Sequence, residues 1–232
     1  MTALVLQARL DSSRLPEKAL LPLGGRPLIL RVMEAFNSFP WEAKILACPE
    51  DSGKSFAPLA EEAGFTLITG PKDDVLERYC IVIRKTGAER IVRATGDNPF
   101  VFADAAVVLA EEAAALGADY AGYSGLPYGA GVESVSSAAL LWAEREAKAL
   151  AEREHVCPYL YTHPELFLLH RPLAPLKWQG AYLRITVDTK EDYERAQALY
   201  AELLSLPPEE RNAGENVIAA SRRVLRRNAE HK

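Results

Sequence analysis

Three cations, Arg9, Arg14 and Lys18, follow directly on the apolar run ALVLQA at residues 3–8, in a segment that also holds Ser12, Ser13, Gly24 and Gly25. Guanidinium forks and an ammonium point charge are the groups that neutralise a polyphosphate, and small residues let the backbone come close to it. The same loop carries Asp11 and Glu17, so solvated surface with local ion pairs accounts for it equally well. Two aspartates stand at the ends of apolar stretches: Asp97 in TGDNP after ERIVRA, and Asp188 after AYLRITV. A carboxylate on a rigid strand end suits Mg²⁺, a hard cation that shares its shell with phosphate oxygens. Asp188 has a second reading, as part of the cap of a helix opening near Thr189. Together, two strand-end aspartates and a basic loop are the parts of a metal-assisted phosphate-transfer site.

Other motifs carry less. CPEDSGKS at 48–55 ends like a P-loop, but Cys48 replaces its first glycine and Glu50 and Asp51 would face the phosphates. YGAGVES at 128–134 has two glycines of a dinucleotide fingerprint and lacks the third. His155, Cys157 and His163 are too irregularly spaced for a zinc motif, and EHVCPY reads better as a capped helix start. Arg222, Arg223, Arg226 and Arg227 read as the solvated face of a last helix, with an anionic partner as the other reading.

The elements that must hold these residues alternate. Apolar runs at 3–8, 43–48, 65–70 and 89–97 read as strands, and amphipathic stretches at 26–36, 55–64, 74–87 and 104–117 read as helices, two of them closed by Gly87 and Gly117. That order implies a parallel sheet covered on both faces, with ligands at the carboxyl ends of its strands. Further on, 118–123 and 131–136 read as strands, 137–150 as a helix, 181–188 as a strand, 191–204 as a long helix, and ENVIAASRRVLRRN as a basic terminal helix. Residues 154–163 and 165–170 fall in a less regular stretch. One domain spanning 1–232 is expected, with an excursion near 125–180 that serves as an arm or interface.

Composition sets the outer bounds. The chain has 232 residues, 49% hydrophobic and 25% charged, an ordinary globular balance. A net charge of -5, with no aromatic–basic motif, argues against nucleic acid as partner. Cys48, Cys80 and Cys157 form no CxxC pair, which predicts reduced thiols in a cytoplasmic protein. The first apolar run stops at Arg9, and no apolar span is long enough to cross a bilayer, so neither signal peptide nor membrane association is expected.

Several segments in order carry a resemblance: QARLDSSRLPEKALLPLGGRPL, DDVLERY, RATGDNPFV, GAGVESVSSAAL, EREHVCPYLYTHPELF and RITVDTKEDYERA. They resemble the spore-coat-polysaccharide branch of the sugar cytidylyltransferases, relatives of the CMP-KDO and CMP-sialic acid synthetases, over nearly the whole chain. The resemblance implies an α/β, Rossmann-like nucleotide-diphospho-sugar transferase fold with a mostly parallel mixed sheet and helices on both faces. It implies transfer from CTP to an anionic sugar or sugar acid in cell-surface polysaccharide biosynthesis, with Mg²⁺ as cofactor. By position, Arg9 and Lys18 hold the triphosphate with Ser13 and Arg14 assisting, Arg78 lies near the nucleotide, Asp97 and Asp188 hold the metal, and Gln7 and Ala8 face the base. Glu133 falls in the segment where the acceptor is expected. The acidic side chain common in the family is absent at Gly131, and Cys157 stands where threonine is common. Another base or acceptor, or a catalytically silent nucleotide-binding relative, fits the same residues.

Two physical expectations complete the reading. Tyr128, Tyr159, Tyr161, Phe167 and Trp178 crowd the excursion, which predicts a two-fold homodimer built there, or else a share in the domain's own core. If Arg9 and Lys18 are held together for a ligand, their repulsion predicts that Lys18→Ala is neutral or mildly stabilising without nucleotide.

Overall fold

The structure, a computed structural model, describes residues 1–230. Strand β1 (Thr2–Gln7) lies at the centre of a seven-stranded sheet in the order β5-β4-β1-β6-β8-β7-β9. The other members are β4 (Ala43–Pro49), β5 (Thr66–Gly70), β6 (Arg90–Thr95), β7 (Tyr120–Ala121), β8 (Glu133–Ser136) and β9 (Leu169–His170). A small separate hairpin pairs β2 (Pro22–Leu23) with β3 (Arg26–Pro27). Only β8 runs antiparallel to its neighbours in the main sheet, so the sheet is mixed and mostly parallel, as the sequence implied.

Helices α1 (Leu28–Ala35), α2 (Gly53–Ala63), α3 (Val75–Thr86), α4 (Ala103–Leu116), α5 (Ser137–Glu146), α6 (Leu150–His155), α7 (Pro158–Thr162), α8 (Lys190–Leu203) and α9 (Gly214–Glu230) surround it. The strands are apolar on both faces because both are covered. Leu4, Leu6, Leu46 and Val92 belong to one core with α1, α2, α4, α8 and α9, while Ala3, Val5, Ile45 and Ile91 belong to the other with α3, α5 and α7. Gly87 and Gly117 end α3 and α4 in the left-handed conformation, at φ 68° and 64°.

Two expectations need correction. Residues 181–188 make no ladder strand. They run extended beside Tyr128, with one isolated bridge at Arg184 and single backbone bonds from Ile185 to Tyr128 and from Val187 to Asp97, each 2.9 Å. The helix expected over 137–150 stops at Glu146, and the next turn starts at Leu150. The break is held by Arg153, whose guanidinium reaches back to the Glu144 carbonyl at 2.8 Å and pairs with Asp74. The aromatics of the excursion divide: Trp178 and Phe167 are buried in the two cores, whereas Tyr128 and Tyr161 remain exposed.

Among the described residues, no helix is long and apolar enough to cross a membrane. All three cysteines are buried and free, and burial pushes the Cys48 thiol up to about 11 and the Cys80 thiol up to about 12.

Candidate active site

After β1 the chain passes outward through β4 and β5, then returns to β6 on the opposite side of β1. The crevice beyond the carboxyl ends of β1 and β6 is therefore a topological switch point, where open α/β sheets bind ligands. A cleft of about 690 Å³ opens there. Its wall includes every residue that the resemblance assigned to the site: Gln7, Ala8, Arg9, Ser13, Arg14, Lys18, Arg78, Asp97, Glu133 and Asp188.

The loop after β1 folds one turn, Lys18–Leu20, that aims Lys18 inward; Glu17 before it sits in the left-handed region at φ 51°. Lys18 Nζ donates to Asp97 Oδ2 at 2.8 Å, to Asp188 Oδ1 at 2.9 Å and to the Val187 carbonyl at 2.8 Å. All three ammonium donors are thus used. This contradicts the expectation that Lys18 is destabilised beside Arg9 in the empty protein: its charge is compensated twice. Arg9 is half exposed, and its one ion-pair contact among the described residues is a long one with Asp11, at 3.8 Å. Arg14 reaches Asp188 Oδ1 at 3.2 Å. The solvated-surface reading therefore fits Arg9 and fails for Lys18.

Asp188 is not the helix cap. Thr189 Oγ1 caps α8 by accepting from the Asp192 amide at 3.2 Å, and the Asp192 carboxylate accepts from the Thr189 and Asp188 amides in return. That leaves the Asp188 carboxylate to face Lys18, Arg14 and Arg184. Burial alone raises its pKa, but the hydrogen bond and charge of Lys18, with Arg14 and Arg184 behind, hold it below the usual carboxylate range. Segment 184–188 is fixed in place by Gly129, at φ 98°, where a Cβ would lie 2.6 Å from the Thr186 amide nitrogen. Only glycine permits that approach.

On the other side of the cleft, Arg78 is 2% exposed. It donates from Nε and Nη2 to the Pro71 carbonyl, at 3.1 and 2.6 Å, and from Nη2 to the Lys72 carbonyl at 2.9 Å, so it shapes the loop between β5 and α3 as well as lining the cleft. Glu133 has both oxygens engaged. Tyr120 Oη donates to one at 2.8 Å; Arg93 pairs with the other, and the Cys157 thiol lies 3.6 Å from it. Arg93 also donates from Nε to Gln7 Oε1 at 3.1 Å. Sequence reasoning missed Arg93 and Tyr120. The available signal was a charge in the middle of a buried strand, which is expensive unless paired. His155 and Arg171 also line the cleft, whereas His163 lies apart, bonded to the Tyr159 carbonyl.

A hard divalent cation fits this donor set. Two carboxylate oxygens converge on one point with a backbone carbonyl, and in this structure a cation, the Lys18 ammonium, already sits there. The described residues contain no cluster of three or more His, Cys, Asp or Glu able to hold a metal by itself. Mg²⁺ typically uses one or two carboxylates and completes its shell with substrate phosphates and water.

A mixed α/β sheet with a basic loop and two cleft-facing aspartates at its switch point is an arrangement suited to metal-assisted phosphate transfer. The comparisons then specify which kind. The cytidylyltransferase family model matches residues 3–222, and the chain belongs to that family. It is 32% identical over 204 residues to the spore coat polysaccharide biosynthesis protein SpsF of Bacillus subtilis, covering 84% of this chain and 85% of that protein. Among solved structures, a cytidylyltransferase from Leptospira borgpetersenii superposes with a TM-score of 0.87 at 20% identity, covering 98% of this chain and 95% of the other. A CMP-2-keto-3-deoxy-manno-octonic acid synthetase complexed with CTP gives a TM-score of 0.69 at 17% identity, over 88% and 99% of the two chains. These two structures share the fold.

Proposed function

We propose that the protein transfers a cytidylyl group from CTP to an oxygen of an anionic sugar or sugar acid, in the assembly of a cell-surface polysaccharide. One observation carries this: Lys18, Asp97 and Asp188 converge within 2.9 Å contacts beneath a basic loop at the sheet's switch point. The acceptor oxygen forms a bond to the α-phosphorus as the bond to the bridging oxygen of pyrophosphate breaks in line. Pyrophosphate carries away the electron pair, and the acceptor's proton passes to solvent.

Most of the protein's contribution is positioning and charge neutralisation. Arg9, Arg14 and Lys18 neutralise the triphosphate, and Ser13 lies beside them in the same wall. Asp97 and Asp188 would hold Mg²⁺, which lowers the charge repulsion between phosphate and attacking oxygen. Arg78 backs the nucleotide end of the cleft. Glu133, in the segment where the resemblance puts the acceptor, has both oxygens already engaged and fixes Tyr120 and Arg93. An anionic acceptor is supported by Arg171, which lines the cleft with no carboxylate partner among the described residues. Gly131 leaves room beside it, since a Cβ there would meet only Leu126, at 3.6 Å.

The second copy in a homodimer docks, in this reading, on the sheet edge carrying β9. Leu166, Leu168, Leu173 and Leu176, on either side of β9 in sequence, are exposed, the last at 86%, and exposed apolar side chains are what interfaces cover.

Pyrophosphate release tests the reaction. With CTP, Mg²⁺ and a panel of sugar acids, at least one acceptor should give release at a rate typical of enzymes, on the order of 1 per second or faster. No release with any acceptor, together with no CTP-induced rise in melting temperature, would overturn the CTP reading in favour of another nucleotide or a silent relative. Light scattering on the same sample should give the mass of two chains.

A further inference from the structure

We propose that Arg93 fixes the direction of the Gln7 amide, so that the cleft offers an N–H donor to the base edge and selects cytosine over uracil. The inference rests on the nucleotidyltransferase reading above and assigns its base-selecting residue.

Gln7 ends β1 one pleat beyond Val5, and Val5 lies opposite Arg93 on β6, which lies opposite Glu133 on β8. The three polar side chains therefore share one face of the sheet at its carboxyl end. Arg93 is held by Glu133, and Glu133 is held by the Tyr120 hydroxyl at 2.8 Å. From that anchored position Arg93 Nε donates to Gln7 at 3.1 Å.

A guanidinium has donors only, so the Gln7 atom facing it is the amide oxygen. The amide nitrogen must then turn the other way. It has no hydrogen-bond partner among the described residues, and Gln7 lines the cleft, so its two N–H groups face whatever the cleft holds. The same cleft wall includes Ala8 and Val75, apolar groups suited to a flat ring, and Arg78, whose guanidinium is already occupied by its loop carbonyls. The phosphate-binding cations lie on the far side of Ala8, along the loop. A nucleotide with its phosphates there places its base beside Gln7.

Cytosine presents N3 as an acceptor, whereas uracil presents N3–H, a donor, at the same position. An N–H donor aimed at that position thus matches the first and clashes with the second. An unmade hydrogen bond in a desolvated site is worth at least about tenfold in affinity. Arg93 is a positioning residue in this scheme, and Gln7 makes the contact.

The test measures CTP and UTP binding by calorimetry, with Mg²⁺ and no acceptor, on the full chain. The parent should prefer CTP by about tenfold or more. Gln7→Glu replaces donors by acceptors and should remove that preference. The double variant Arg93→Gln with Glu133→Gln removes both charges, frees the amide to rotate, and should bring the CTP-to-UTP ratio close to one. A merely structural role for Arg93 would weaken both nucleotides alike and leave the ratio unchanged. If the double variant does not fold, Gln7→Met gives the same reading, because it deletes the donors outright. A parent that prefers CTP while Gln7→Glu keeps the preference overturns this proposal alone. A parent that binds neither nucleotide overturns the nucleotidyltransferase reading and this inference with it.

Discussion

Asp97→Asn is expected to leave the protein folded and to lower Mg²⁺-dependent turnover by about a thousandfold or more. The side chain leaves the end of β6 toward the cleft, and its protein hydrogen-bond partner there is Lys18, at 2.8 Å. Asparagine keeps the shape and an oxygen that still accepts from Lys18, so packing changes little. What goes is the negative charge, and with it one of two carboxylates able to hold a hard cation; metal stabilisation of a phosphoryl transition state is worth several kcal/mol. Pyrophosphate release over a range of Mg²⁺ concentrations measures the effect. Raising Mg²⁺ should recover part of the loss, because the remaining carboxylate, Asp188, still faces the same point. Normal turnover in Asp97→Asn would end the metal assignment, and with it the account of how the α-phosphorus is activated.

The parts of this site that were legible in the sequence are those that local pattern controls. Strands buried on both faces read as unbroken apolar runs, and a polar residue just after such a run, as Asp97 is after β6, must sit at a sheet end. The ligand edge, at the carboxyl ends of the parallel strands, followed from the alternation of strands and helices. The segment 181–188 misled because apolar and polar residues alternate in AYLRITVD as they do in a strand, yet its amides bond singly to Tyr128 and Asp97 rather than in a ladder. The gap after Glu146 carries no glycine or proline. It exists because Arg153 draws Asp74 and the Glu144 carbonyl to itself, contacts between distant segments. Arg93 and Glu133 form a pair only because β8 returns antiparallel beside β6. The Lys18 contacts depend on three separate segments meeting, and no reading of the first loop alone finds them.

Lys18→Ala follows from that meeting, and its expected outcome reverses in sign what like-charge repulsion in the loop implied. Lys18 is 11% exposed and bridges Asp97 and Asp188. Removing it leaves two carboxylates near one another with Asp97 uncompensated; Asp188 keeps Arg14 and Arg184. Breaking a fully buried pair from one side costs about 3–5 kcal/mol, and the partial exposure of Asp97 together with the remaining arginines brings the expected loss to about 2 kcal/mol. In a domain of this size that lowers the melting temperature by about 4–8 °C. The variant should also respond differently to metal. In the parent the ammonium occupies the point where the oxygens converge, so a divalent cation entering without nucleotide has to displace it. In Lys18→Ala that point is open, and millimolar Mg²⁺ or Mn²⁺ alone should restore much of the lost stability while raising the parent's melting temperature little. With CTP added the order inverts: the parent gains the larger shift, because its ammonium can leave the aspartates for the triphosphate as metal takes their charge. Four melting curves per protein, with and without metal and with and without CTP, separate these terms. A variant as stable as the parent, or one whose response to metal alone is no greater, would show that the ammonium does not stand in for the cation, and that nucleotide and metal bind independently of Lys18.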